Sequence, residues 1–140
     1  MKIHLRAENA LKASENEMCL WKTAGIDVIV CGLESGSQTE LEFYRKIATK
    51  GISRRAFIHL ENPGNVCNIL GYMMFSPIST EEILLEKVEF LRDIRRGGDF
   101  LNLTNRLLVF WGTVMHQQLM DEGLVDRSYG TSTTLEHLFV

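Results

Sequence analysis

Four times along this chain a short apolar run with the period of a strand is followed by a stretch whose apolar residues recur at helical spacing. The two periods cannot substitute for each other. An alternation repeated this often argues against a helical bundle or an all-β sandwich and for parallel strands joined by right-handed crossovers. Residues Lys2 to Arg6 alternate in polarity, with Ile3 and Leu5 on one face and His4 and Arg6 on the other. Leu11, Ser14, Met18 and Trp21 then fall on one helical stripe, and Gly25 stands where a helix C-cap belongs. Ile26 to Cys31 is almost continuously apolar, the pattern of a strand buried on both faces.

The same alternation continues downstream. Leu41, Tyr44 and Ala48 repeat the helical spacing, Gly51 interrupts it, and a second short helix is predicted from about Ser53 to Glu61 before the turn Asn62-Pro63-Gly64-Asn65. Ile69 to Phe75 reads as the third strand, stopped by Ser76-Pro77. Ser79 and Glu82 have capping-box spacing, and Leu84, Val88 and Leu91 form the buried stripe of the helix that follows. That helix ends in Arg92, Arg95 and Arg96, where cations suit the helix dipole. A fourth strand is predicted from Arg106 to Phe110, and beyond Trp111-Gly112-Thr113 a helix carries Met115 and Leu119 to a stop at Gly123. The fold class expected is α/β: a partial (β/α) barrel with about four parallel strands over residues 1–125, and a Ser/Thr-rich tail over 126–140.

A chain of 140 residues supports one folding unit of ordinary size. Fifteen basic residues against eighteen acidic ones provide no global positive field for nucleic acid or an anionic membrane. No apolar run reaches the ~20 residues of a bilayer span, and the N-terminus lacks the sections of a signal peptide, so a cytoplasmic location is expected. Cys19, Cys31 and Cys67 are widely spaced and contain no C-x2-C or C-x3-C pair, so they describe neither a disulfide framework nor a local metal clip. In parallel β/α folds the loops after the strands gather on one face, where ligands bind. The polar turn Gly32-Leu33-Glu34-Ser35-Gly36-Ser37, at the exit of the most apolar strand, therefore belongs to the functional face.

Ala24-Gly25-Ile26 through Gly32-Leu33-Glu34-Ser35-Gly36-Ser37, followed by Leu41 and Lys46, resembles the fourth strand and helix of radical S-adenosylmethionine enzymes. Gly71-Tyr72-Met73-Met74-Phe75-Ser76-Pro77 with Ser79-Thr80-Glu81-Glu82 resembles the fifth, especially in members that carry a cobalamin-binding domain. Arg106 to Thr113 with Asp121-Glu122-Gly123-Leu124 resembles the sixth, and Arg6-Ala7 fits the third. The resemblance runs from about residue 2 to residue 125 in the family's order. It implies strands three to six of a partial six-stranded barrel. In the intact parent, a reduced [4Fe-4S] cluster would cleave S-adenosylmethionine to a 5'-deoxyadenosyl radical that acts on an unidentified substrate. Cobalamin is a further cofactor of such relatives.

The family holds its cluster with C-x3-C-x2-C after its first strand, a motif this sequence does not contain. By strand count it would lie upstream of Met1. The chain is accordingly expected to be a piece of a barrel that needs the missing N-terminal half, in the same or a separate chain, and to be inactive alone. Within it the resemblance implies cofactor contacts from Glu34, toward ribose hydroxyls or the amino group, from the Ser35 hydroxyl, and from Lys46, toward the carboxylate. His4 and Arg6 would line the interior, Met74 would border the adenine, and Trp111 would stand at the pocket rim. Each residue also has a plainer reading. Glu34 can serve only the helix dipole, Lys46 beside Arg45 can be a solvated helix face, and an apolar strand run is ordinary core. Two other functions stay open: a catalytically inert docking piece whose open strand edges seek a partner, or an unrelated small α/β protein using Gly32 to Ser37 as an anion-binding turn.

Overall fold

A computed structural model of the chain describes residues 1–61 and 67–124. Three parallel strands, β1 (Lys2–Arg6), β2 (Val28–Glu34) and β3 (Cys67–Tyr72), form a sheet in the order β1-β2-β3. The connections carry α1 (Ala7–Ala10) and α2 (Glu15–Thr23) after β1, and α3 (Gln38–Phe43) and α4 (Lys50–Leu60) after β2. After β3 come α5 (Glu81–Asp93), α6 (Phe100–Thr104) and α7 (Val114–Asp121). The α/β class with parallel strands and helical crossovers is as the sequence predicts. The turn expected at 62–65 and the tail expected from 126 lie outside the described residues.

Local chemistry relocates several boundaries. The stripe from Leu11 to Trp21 is helical only from Glu15: Leu11 is the C-cap of α1, and Ser14 caps α2, its hydroxyl accepting from the Glu17 N–H at 3.2 Å while Glu17 accepts from the Ser14 N–H at 2.7 Å. Gly51 does not interrupt its helix, since Thr49 caps α4 and places Gly51 in the first turn. Thr80, and not Ser79, caps α5. The expected fourth strand reduces to a single parallel bridge between Phe75 and Arg106. Residues 106–110 keep the strand's alternation, Leu107 and Val109 inward and Leu108 and Phe110 outward, but β3 has already ended at Tyr72 and offers them no ladder.

Helices α1, α2, α4 and α5 pack on one face of the sheet, around Ile29, Cys31, Leu33, Phe57, Leu70 and Tyr72, while α7 packs through Leu119 in a second cluster with Tyr44, Leu107 and Val109. Burial of each large apolar side chain contributes about 1.5–3 kcal/mol. The opposite face carries the rows His4–Val30–Ile69 and Arg6–Gly32–Gly71. His4, Arg6 and Ile69 are exposed there, and Val30 and Gly32 are half-buried. Two-sided burial of β2 is thus not realised within the described residues. No described helix is long and apolar enough to cross a membrane.

Candidate functional site

At the exit of β2 the Ser35 N–H donates to the Leu33 carbonyl at 2.8 Å, and Glu34 between them has φ 66°. This is a γ-turn with positive φ, the rarer and more strained form. A non-glycine residue held there costs on the order of 1–3 kcal/mol. The Met73 N–H anchors the turn by donating to the Glu34 carbonyl at 2.8 Å. A register shift between Gly32 and Glu34 accompanies it, so the Glu34 carboxylate curls back over Gly32. A Cβ on neighbouring Gly71 would lie 3.2 Å from the Gly32 Cα, so this end of the sheet has a floor of bare backbone.

Lys46 reaches the same place by a different route. Past α3, Arg45 adopts φ 53°, and the Lys46 N–H donates to the Leu41 carbonyl at 2.9 Å while the Arg45 N–H donates to Glu42. This paired-bond helix stop reverses the chain toward the strand end. There the Lys46 ammonium donates to the Glu34 carboxylate at 2.9 Å. The two side chains border a cleft of about 240 Å³ lined also by Arg6, Glu8, Gly32, Tyr44 and Arg45. Arg6 lies 3.9 Å from Glu8. The cleft thus offers cations for an anionic group, and carboxylates that accept from amine or hydroxyl donors.

Of the residues singled out in the sequence, Glu34, Lys46 and Arg6 meet at this cleft. His4 is exposed on the same sheet face, one row from Arg6. Ser35 is fully buried, with its hydroxyl donating inward to Glu40 at 2.7 Å. Met74 is core, and Trp111 stands exposed elsewhere with its ring against His116, centroids 4.4 Å apart. The turn itself is poorly suited to anions, because the Ser35 amide is bonded to Leu33 and the Ser37 amide to the Ser35 hydroxyl.

Sequence reasoning did not find the buried charges behind the turn. Glu40 and Lys87 are both fully buried and ion-paired. The Glu40 carboxylate also accepts from Ser35 at 2.7 Å, Ser76 at 2.7 Å and Ser79 at 2.8 Å. Burial by itself would raise the Glu40 carboxyl, but the bonds from Lys87 and the three serines hold it below its ordinary value. Burial pushes the Lys87 ammonium down, and Glu40 opposes this in part. The available signal was a lysine on an apolar stripe: Lys87 lies three residues after Leu84 and four before Leu91.

Among the described residues no three His, Cys, Asp or Glu side chains converge to hold a metal. Cys19 is exposed, whereas Cys31 is buried in the core, where burial and then the charges of Glu34 and Glu8 push its thiol up to about 12. This donor set does not fit an iron-sulfur cluster, which requires several accessible thiolates.

No protein-family model matches the chain, and no curated protein matches it. Two solved structures do. The cobalamin-dependent S-adenosylmethionine radical enzyme OxsB with aqua-cobalamin bound superposes with a TM-score of 0.64 at 17% identity, covering 90% of this chain and 24% of that one. OxsB with aqua-cobalamin and S-adenosylmethionine bound superposes with a TM-score of 0.54 at 23% identity, covering 86% of this chain and 17% of that one. The chain thus spans about a quarter or less of the length of either neighbour. Its α/β fold is similar to that of part of these two structures.

Proposed function

We propose that this chain is the cofactor-cradling part of a radical S-adenosylmethionine enzyme, with the cleft at Glu34 and Lys46 receiving the methionyl end of the cofactor. The observation that carries the reading is the meeting of these two residues, twelve positions apart in sequence, at 2.9 Å beside the strand ends. Glu34 accepts from the cofactor's ammonium or ribose hydroxyls, and Lys46 turns from Glu34 to the cofactor's carboxylate as a point charge. Arg6 supplies a second cation at the same cleft. S-adenosylmethionine supplies the radical chemistry when bound and reduced; this chain's residues bind and orient it. Cys19, exposed, and Cys31, buried in the core, do not together form a cluster ligand set.

The open face and the edge of β1, unpaired among the described residues, support assembly with further β/α units, in the same or another chain, that would carry the cluster and close the site. Cobalamin belongs to the neighbours and has no assigned contact here. The test is calorimetric titration of the purified chain with S-adenosylmethionine, S-adenosylhomocysteine and inorganic phosphate. Saturable binding of the adenosyl ligands that weakens about tenfold in Glu34→Gln is expected. Binding of phosphate alone, or adenosyl binding indifferent to Glu34, overturns the reading.

A further inference from the structure

The buried carboxylate of Glu40 is connected in a way that ordinary core packing does not require. One of its oxygens accepts from Ser35, in the turn after β2, and from Lys87, on α5. The other accepts from Ser76 and Ser79, in the turn after β3. Two of these hydroxyls in turn hold backbone: the Ser35 oxygen accepts the Ser37 N–H at 3.1 Å, and the Ser79 oxygen accepts the Ser76 N–H at 3.0 Å. The two turns are joined a second time by the Met73 N–H on the Glu34 carbonyl. A hydroxyl rotates freely until an acceptor orients its proton. Glu40 therefore determines which lone pairs of Ser35 and Ser79 face the two loop amides. An apolar pair would fill the same volume, and replacing a buried ion pair that way is often neutral for stability. Volume and stability alone thus leave the choice of a carboxylate unexplained.

We propose that Glu40 is a positioning residue, a single anionic hub that ties the turns after β2 and β3 to α5 and so holds Glu34 in its strained presentation to the cleft. The hub acts on Glu34 through backbone and never touches the ligand. Its link to function rests on the cofactor reading above, whereas its hold on the two turns does not.

The test separates these. In the full chain, the double variant Glu40→Leu with Lys87→Met removes both charges and keeps apolar volume. It is expected to stay folded but melt a few degrees below wild type, because the buried Ser35 hydroxyl loses its acceptor, and to exchange the Ser37, Met73 and Ser76 amides about tenfold faster relative to the amides of β2 by hydrogen-exchange NMR. Its affinity for S-adenosylmethionine is expected to fall about tenfold, as Glu34 loses its fixed place. Wild-type exchange at those three amides in the folded double variant overturns the hub. Should the double variant fail to fold, Glu40→Gln, which leaves every serine in place, decides: faster exchange at both Ser37 and Ser76 supports the hub, and unaltered exchange at both overturns it. If the wild-type chain does not bind S-adenosylmethionine, the cofactor reading falls while the exchange data still decide on Glu40.

Discussion

Lys46 donates to Glu34 at 2.9 Å across the mouth of the cleft, and both side chains remain partly exposed, at 40% and 27%. An ion pair in such a setting contributes ~0–1 kcal/mol to stability. Under the proposed function, it holds two opposite charges ready for a zwitterionic ligand. Lys46→Met is therefore expected to leave the unfolding temperature within about 2 °C of wild type and to weaken S-adenosylmethionine binding about tenfold, in thermal scans and titrations run side by side.

The γ-turn at Glu34 sets stability against function at one position. Its φ of 66° suits glycine. Glu34→Gly is expected to raise stability by about 1 kcal/mol in urea unfolding while ligand affinity drops about tenfold. A clear loss of stability would show that the carboxylate itself, and not the backbone position, dominates at this site.

Gly36 presents the opposite case, in which space rather than dihedral angle demands glycine. A Cβ there would overlap the Phe90 side chain and lie 2.6 Å from the Tyr72 hydroxyl. Because Phe90 and Tyr72 are stacked and buried, neither can yield. Gly36→Ala is expected to cost about 1–3 kcal/mol or more, read as a lower urea midpoint with an unchanged slope.

Acid should act through Glu40. The folded protein holds this carboxyl below its ordinary 4.5, so its protonated form is disfavoured in the native state. The stabilisation is complete above pH ~4.5 and is lost as pH falls through the lowered value. Glu40→Gln should melt well below wild type at pH 7, and the gap between the two should close as pH drops below ~4. A gap independent of pH would mean that Glu40 is not ionised in the fold.

The thiols should separate by reactivity. Cys19 is exposed, while Cys31 is buried with its thiol pushed up to about 12. Iodoacetamide at pH 8 is expected to label Cys19 in the native chain and Cys31 only after denaturant is added, as mapped by peptide mass spectrometry.

The parallel α/β class, the inward face of β1 and the placement of Glu34 at a strand exit were legible in the sequence. Periodicity and turn composition are local, and local patterns read directly from one residue to its neighbours. The resemblance implied that Glu34 and Lys46 share one site, but their ion pair was not legible, since no spacing rule joins a strand exit to a helix stop. Ser79 illustrates the limit. Its spacing to Glu82 is that of a capping box, yet the fold assigns the cap to Thr80 and turns Ser79 toward Glu40, thirty-nine residues away. The fourth strand likewise had strand alternation, but a strand needs a neighbour of sufficient length, and only the tertiary arrangement could withhold one. Sequence determined which segments bury which faces. Tertiary structure decided which charges meet, because a buried carboxylate must find its donors wherever the packed chain brings them, at whatever separation in sequence.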